Sequence, residues 1–247
     1  MSNKHDIETY SRLERAADYF LHCSFTSLQN AMRDELKGLI YLEEIMKIDV
    51  SEKDKMNFKK AKLPTNPVEL LQSGNLNISG DLMNKFLHAG YVTEKRLLEE
   101  HVKFNKEHKI GSIEILGHLN NFGFFIETVI NRHLLFLLHI EEIDSISYNR
   151  ISIAKIMERI IYLFKDELKK NKIQLNEIIN LFSLRNKTVH FTPDNAIALN
   201  VKLIELYRIW NQTIKLLKVL EKKEKFKGIK LSEKLGNSSN DFQQHWN

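Results

Sequence analysis

The chain has 247 residues, 43% of them hydrophobic, so it can bury a packed core and is not a disordered polymer. It contains three prolines and nine glycines, which favours long helices over short strands, and we predict an all-α fold. The single cysteine, Cys23, excludes an internal disulfide, and the longest apolar run, Leu134 to Leu138, is too short to cross a bilayer. We therefore expect a cytoplasmic protein without a membrane role.

Charge is unevenly distributed along the chain. Residues 1–110 hold 17 basic and 17 acidic side chains, whereas residues 111–247 hold 20 and 15, so the second part carries the whole net charge of +5. Within it, residues 150–190 hold nine basic and four acidic side chains. Such a positive segment attracts a polyanion such as RNA. The alternative is a lysine-rich helix surface that faces solvent.

The first part of the chain, residues 1–110, is predicted to be an N-terminal helical region. Apolar spacing indicates one helix over residues 7–22 and a second that ends near Ile48, and together they would form a helical hairpin. A short third helix is predicted near residues 53–62. The second helix has three candidate cap residues, namely Ser24, Thr26 and Ser27.

Residues 63–92 differ in composition and are predicted to be an irregular connector, a candidate contact surface for a partner. They contain two of the three prolines and three of the nine glycines. Asn66 followed by Pro67 fits the start of a short helix, with Asn66 as its cap. Helix is expected to resume near Thr93 and to end near His108.

Residues 111–220 are predicted to form a helical bundle. In the second and third of its helices, Ile153 and Ile179 are expected to face the core. Residues 221–247 are rich in Lys, Ser, Asn and Gln, and we expect a basic polar tail with a frayed end. Apolar periodicity and helix-start signals place the helices of the bundle over residues 112–140, 151–170, 174–185 and 192–220.

The helix over residues 112–140 is apolar nearly all round, so it is expected to be buried on several sides. Its polar residues Glu127 and Asn131 lie one helical turn apart and share a face. A buried carboxylate without a partner is strongly unfavourable. We therefore expect Glu127 to meet a cation or a set of hydrogen-bond donors, and Arg185 is the first partner that we predict.

The densest group of reactive side chains lies at residues 185–190, which read Arg-Asn-Lys-Thr-Val-His. Histidine exchanges protons near neutral pH and arginine stabilises negative charge on a phosphate, so the two suffice for metal-free RNA cleavage. On a continuous helix five residues turn through about 500°, which leaves Arg185 and His190 about 140° apart. They therefore serve one phosphate only if the helix breaks between them or a second copy of the chain completes the site.

The pattern from Arg185 to His190, between a predicted helix end and a predicted helix start, resembles the motif of the HEPN superfamily, in which four to six residues separate an arginine from a histidine. The resemblance covers residues 112–220. Asn186 matches the polar residue that often follows the arginine. The resemblance implies a HEPN-like antiparallel helical bundle.

Many HEPN proteins are metal-independent endoribonucleases in which two Arg/His pairs line the cleft of a homodimer, and they recur in toxin–antitoxin and antiviral systems. By this resemblance Arg185 and His190 are catalytic and Lys187 contacts the RNA backbone. No cofactor and no metal are expected. The expected partners are an RNA substrate, a second copy of the chain, and an antitoxin or regulatory protein. The supporting residues that the resemblance indicates are Asn186, Glu127 and Asn131.

An alternative assigns these residues no catalytic role, because some HEPN proteins are non-catalytic binding or dimerisation modules. Arg185 would then cap the last carbonyls of its helix, and His190 would be a structural histidine. The other histidine pairs lack the spacing of zinc ligands and are predicted to be surface or core residues. These pairs are His101 with His108 and His133 with His139.

Overall fold

The computed structural model of the protein describes residues 3–74, 78–99, 102–170, 173–189, 201–224 and 230–247. Within these ranges the chain forms eleven α-helices and one sheet of two short strands. The predicted all-α fold is confirmed. No helix within these ranges is long and apolar enough to cross a membrane.

The strands β1 (Lys109–Ile110) and β2 (Val201–Lys202) pair antiparallel, with Lys109 opposite Lys202 and Ile110 opposite Val201. In chain order the helices are α1 (Asn3–Met46), α2 (Glu52–Lys60), α3 (Pro67–Gln72), α4 (Gly80–Glu99), α5 (Ile115–His139), α6 (Ser145–Ser152), α7 (Ile156–Leu163), α8 (Lys165–Lys169), α9 (Asn176–Val189), α10 (Leu203–Lys223) and α11 (Leu231–Trp246).

The chain divides into two compact units. Unit 1 comprises Met1–Ala31 and Lys103–Asn247, and unit 2 comprises Met32–Val102. The structure therefore differs from the predicted division at residue 110, because the first 31 residues belong with the C-terminal part of the chain.

One continuous helix, α1, occupies the place of the predicted helical hairpin, so that prediction is wrong. The hydroxyls of Thr26 and Ser27 each donate to the carbonyl oxygen four residues earlier in α1, at 3.0 Å. Ser24 Oγ lies 2.8 Å from His118 Nδ1 in α5. Because these hydroxyls are satisfied within α1 or by a tertiary contact, they do not begin a new helix.

Unit 2 has its own hydrophobic core and includes both predicted short helices. Ser51 caps α2, since its side chain accepts from the backbone N–H of Asp54. Asn66 Oδ1 accepts from the backbone N–H of Val68 at 2.8 Å and caps α3, and Pro67 occupies the first turn as predicted. The buried members of this core are Ile45, Val50, Phe58, Leu70, Leu82, Phe86 and Ala89.

Helix α4 begins at Gly80 rather than near Thr93, so the prediction of an irregular connector over the whole of residues 63–92 is wrong. A glycine inside a helix lowers the stability of the helix by about 1 kcal/mol relative to alanine. Burial of an apolar face outweighs this cost, because most helical stability comes from packing. The buried residues of α4 recur at helical spacing and are Leu82, Phe86, Ala89 and Thr93.

The core of unit 1 is arranged around α5, which packs against α9, α6 and α7, while α10 packs against α9 and α11. The predicted burial of α5 on several sides is confirmed. Aromatic rings connect these helices. The Trp210 ring of α10 lies 5.0 Å from the Phe25 ring of α1 and 5.6 Å from the Phe242 ring of α11, measured between centroids.

The predicted helix over residues 151–170 is divided into α6, α7 and α8, and the helical segment begins earlier, after the cap residue Asp144. Ile153 lies in the break between α6 and α7 and is 85% exposed. Ile179 of α9 is 52% exposed. The prediction that these two isoleucines face the core is therefore wrong, although Ile178, beside Ile179, is buried.

Residues 231–246 form α11, so the prediction of a frayed C-terminal tail is wrong. The carboxylate of Glu221 accepts from the Ser232 backbone N–H at 2.8 Å and from its hydroxyl at 2.5 Å, which fixes the first turn of α11. Trp246 Nε1 donates to Gln29 Oε1 of α1 at 2.6 Å. The buried residues of α11 are Leu231, Ser232, Leu235, Ser239, Phe242 and Trp246.

Candidate functional site

The candidate site is centred on an ion pair between Arg185 of α9 and Glu127 of α5. Arg185 Nη1 lies 2.6 Å from Glu127 Oε1, so the predicted partner of this carboxylate is confirmed. The two side chains are 16% and 27% exposed. An ion pair that is partly shielded from water is stronger than one on the open surface. The pair therefore holds α9 against α5 at this point.

Two phenylalanine rings and one glycine fix the position of the Arg185 guanidinium. Its central carbon lies 4.5 Å from the centroid of the Phe124 ring and 5.9 Å from that of Phe182, within the range of cation–π attraction. Gly123 approaches so closely that a Cβ at this position would lie 2.8 Å from Arg185 Cδ. The absence of a side chain at Gly123 therefore makes room for Arg185, a role that the sequence alone did not indicate.

Helix α9 ends at Val189 and not near Arg185, so the predicted helix end is wrong. The Arg185 side chain contacts Glu127 on α5, and a further helical turn follows it along the chain. Asn186 and Lys187 are exposed on that turn. His190 and the predicted helix start at residues 192 and 193 lie outside the described residues, so the distance between Arg185 and His190 stays a prediction.

Asn131 has a different partner from Glu127, although both lie on α5. Its Oδ1 accepts a hydrogen bond from Arg159 Nη1 of α7 at 2.6 Å. The structure thus brings Glu127 to Arg185 and brings Asn131 to Arg159. Glu127 and Asn131 therefore fix two different helices against α5.

A second polar cluster, which the sequence-based reasoning missed, lies in the interior of unit 1. Glu224, directly after α10, accepts from Arg132 Nη2 at 3.0 Å and from the Tyr10 hydroxyl at 3.1 Å, and its Oε1 lies 2.9 Å from His133 Nδ1. The side chains of Arg132, His133 and Glu224 are each 1% exposed. A carboxylate buried to this degree requires such a set of donors.

The sequence held one signal for this cluster, since Arg132 and His133 are adjacent polar residues inside the apolar helix α5. Their partner could not be found because Glu224 falls in the segment that was expected to be a tail. Burial raises the pKa of Tyr10, an effect that Arg132 opposes and Glu224 reinforces, so the phenol keeps its proton and donates it. His133 also lines a cavity of about 410 Å³ together with Glu142, Tyr162 and Lys223.

His118 of α5 is a second buried histidine. Its Nδ1 lies 3.0 Å from the carbonyl oxygen of Ser24, which can only accept, so we assign the proton of the neutral ring to Nδ1. The Ser24 hydroxyl donates to the His118 carbonyl at 3.3 Å. Burial lowers the pKa of His118 from 6.5 to about 4, although its backbone hydrogen bond to Ser24 acts in the opposite direction.

We expect acidification to destabilise the protein through His118. In the unfolded chain this histidine binds a proton near pH 6.5, whereas in the folded protein it does so only near pH 4. The unfolded state therefore binds more protons within this window. The stabilisation is fully present above pH 6.5 and is lost as the pH falls towards about 4, by about 3 kcal/mol in the free energy of unfolding. Denaturant unfolding at a series of pH values measures this loss.

Two variants isolate the contribution of His118. His118→Gln removes the titrating ring and is expected to flatten the dependence of stability on pH between about 6.5 and about 4. His245→Gln changes an exposed histidine of α11 and is expected to keep the wild-type dependence. If His118→Gln keeps the wild-type dependence, His118 is not its cause.

The histidines of the two sequence pairs, where the structure describes them, have the surroundings of surface or core residues, as predicted. His133 is buried against Glu224, His139 is exposed, and the His108 ring lies 4.5 Å from the Phe104 ring. His101 lies outside the described residues. In the part of the chain that the structure describes, no three His, Cys, Asp or Glu side chains are grouped so as to hold a metal ion.

Comparisons with known proteins do not identify a relative. No protein-family model matches the chain, and neither the search of curated proteins nor the search of solved structures finds a significant match.

Proposed function

We propose that this protein is a metal-independent endoribonuclease of the HEPN type. The observation that carries the proposal is the ion pair between Arg185 and Glu127. The resemblance over residues 112–220 includes a long earlier helix with an embedded acidic or amide residue, and Glu127 or Asn131 fits that place. In the proposed reaction Arg185 stabilises the scissile phosphate and His190 is the general acid/base.

The proposed cleavage proceeds by attack of the ribose 2′-oxygen. This oxygen loses its proton to His190 and attacks the adjacent phosphorus, while the 5′-oxygen of the next nucleotide leaves and takes up a proton. The products carry a 2′,3′-cyclic phosphate and a free 5′-hydroxyl. Arg185 donates to the phosphate oxygens as negative charge develops on them. Asn186 orients the phosphate or His190, and Lys187 contacts the RNA backbone.

The surroundings of Arg185 suit this role. Contacts with Glu127, Phe124 and Phe182 hold the guanidinium in one position before substrate arrives, so less conformational entropy is lost on binding. The side chain is nevertheless 16% exposed, and Lys187 is exposed on the same helix. A phosphate can therefore approach a cation that is already in place.

The proposed enzyme acts as a homodimer in the cytoplasm, as a toxin or antiviral effector that an antitoxin or regulatory protein controls. Because α9 continues to Val189, Arg185 and His190 of one copy meet only if the chain turns sharply directly after Val189. If the chain does not turn there, His190 of a symmetric second copy completes the site beside Arg185. The expected positive field of residues 150–190 draws RNA to either form.

A second candidate function is a non-catalytic helical module for binding or dimerisation. The observation that favours it is that Arg185 already has a structural role, since it joins α9 to α5 through Glu127 and Phe124. In this case Arg185→Ala lowers the melting temperature, and the wild-type protein cuts no RNA. Because Arg185→Ala loses these contacts under either candidate, cleavage of RNA by the wild type, measured beside the thermal unfolding of Arg185→Ala and His190→Ala, separates the two.

The test of the proposal is RNA cleavage by the wild type and by His190→Ala in the presence of EDTA. We expect the wild type to leave 2′,3′-cyclic phosphate ends and His190→Ala to be slower by at least about 100-fold, because a general acid/base contributes on that order. Mapping of the RNA ends measures both quantities.

The matched control is His245→Ala, which removes an exposed histidine of α11 and should cut at the wild-type rate. Circular dichroism establishes that each variant is folded. The proposal fails if the folded wild type cuts no RNA and its expression does not harm cells, or if His190→Ala keeps the wild-type rate.

A further inference from the structure

A row of rings leads across the surface of unit 1 to Arg185. The centroids of Tyr19 and Phe20 are 5.8 Å apart, and those of Phe20 and Phe124 are 5.4 Å apart. The Arg185 guanidinium lies next, 4.5 Å from the Phe124 ring. We call Tyr19, Phe20 and Phe124 the aromatic row. It joins α1 to the candidate site on α5 and α9.

Two of the three rings of the aromatic row are exposed to solvent. The Tyr19 side chain is 65% exposed and that of Phe124 is 38% exposed. In contrast, the core rings Phe122 and Trp210 are fully buried. Burying the exposed rings would be favourable, so a ligand with flat apolar faces gains free energy by covering them.

Cationic and polar side chains accompany the aromatic row. Arg15 and His22 lie four residues before and three residues after Tyr19, so they share its face of α1, and both are exposed. The neighbouring acid Asp18 forms an ion pair with Lys234 at 2.5 Å. Glu127 is likewise paired, with Arg185. Each of these two ion pairs is neutral overall, so the positive charge beside the row is that of the exposed Arg15, whose guanidinium suits the phosphates of a polyanion.

We propose that the aromatic row is a stacking platform for the unpaired bases of single-stranded RNA, which guides the strand to Arg185. The identification of the ligand as RNA rests on the proposed function. Flat bases stack on Tyr19 and Phe124, and phosphates meet Arg15 and Lys187. Bases within a duplex have no free faces, so the platform selects single strands. It does not select sequence, because every base has a flat face.

Binding is measured apart from cleavage by using a ligand that cannot be cut. A fluorescein-labelled 2′-O-methyl oligouridylate has no free 2′-hydroxyl, and its affinity for the full-length protein is obtained from fluorescence anisotropy. Loss of one stacked base corresponds to a Kd about 10-fold higher. We expect this increase for Tyr19→Ala, and we expect Tyr19→Phe, which keeps the ring, to bind as the wild type does.

The matched control is Tyr91→Ala, which removes a tyrosine that is 70% exposed on α4 of unit 2. It should leave the Kd unchanged. The 2′-O-methyl duplex of the same length should bind more weakly than the single strand. Because Tyr19 is exposed and lies outside the proposed catalytic residues, a folded Tyr19→Ala variant is expected.

The possible outcomes separate this inference from the proposed function. If Tyr19→Ala binds the single strand as the wild type does while the wild type cleaves RNA, the stacking platform is refuted and the endoribonuclease stands. If Tyr19→Ala binds about 10-fold more weakly while the wild type cleaves nothing and its expression does not harm cells, the platform stands and the endoribonuclease is refuted. The platform is also refuted if the wild type binds no single strand or prefers the duplex. It is refuted as well if Tyr19 serves to dimerise the protein, which sedimentation shows when the wild type is a dimer and Tyr19→Ala is a monomer.

Discussion

Glu224→Ala is expected to lower the free energy of unfolding by about 3–5 kcal/mol, since removal of one partner leaves a buried charge without compensation. Arg132 is 1% exposed and donates to Glu224 at 3.0 Å, and His133 and Tyr10 lose a contact at the same time. For a protein of this size the loss corresponds to a melting temperature lower by about 10 °C. Denaturant and thermal unfolding measure the two quantities.

Two further variants identify the cause of this loss. Glu233→Ala removes a carboxylate on α11 that pairs with Lys230 and is 66% exposed, and stability should remain near that of the wild type. The double variant Arg132→Met, Glu224→Leu removes both charges and retains apolar volume, so it should recover a large part of the stability. If Glu233→Ala and Glu224→Ala are equally destabilising, the loss of stability is not caused by a buried charge left without its partner.

Gly123→Ala is expected to slow RNA cleavage by about 100-fold and to leave the protein folded. The new Cβ would lie 2.8 Å from Arg185 Cδ and 3.3 Å from its Nε, so the guanidinium must move. A displacement of about 1 Å in a catalytic group costs on the order of 100-fold in rate. Alanine is favoured over glycine in a helix by about 1 kcal/mol, which offsets part of the strain. Single-turnover cleavage measures the rate.

Gly236→Ala is the control for Gly123→Ala, because it makes the same change within a helix of the same unit. A Cβ at Gly236 meets no atom within 4 Å, so Arg185 is not disturbed. We expect a wild-type rate of cleavage and equal or slightly greater stability. Wild-type cleavage by Gly123→Ala would mean that the reaction does not depend on where Arg185 is held.

The pair of Arg185 and Glu127 could be predicted because one physical requirement was sufficient. A carboxylate within an apolar helix needs a cation, and the next segment rich in reactive groups offered an arginine. Gly123 and Phe124 could not be assigned from the same reasoning, because their contacts with Arg185 depend on how α5 and α9 cross. That crossing is a property of packing and not of local sequence.

Local sequence signals locate the short helices well. They do not locate helices whose stability depends on packing against distant parts of the chain. The cap formed by Asn66 and Pro67 was correctly identified because its hydrogen bonds are local. The start of α4 and the whole of α11 were missed because their polar sequences form helices only when an apolar face is buried. Thr26 and Ser27 favoured a break in α1 by composition, yet their hydroxyls bond to the helix itself.

Unit 1 is held together by contacts between residues that lie far apart in the chain, and this affects when it can fold during synthesis. Tyr10 bonds to Glu224, 214 residues later, and Trp246 bonds back to Gln29, 217 residues earlier. These contacts cannot form until Glu224 and Trp246, respectively, have left the ribosome, and their long sequence separation slows folding further. Unit 2 is one continuous stretch, so it can fold while translation continues. An incomplete nascent chain therefore lacks a closed unit 1.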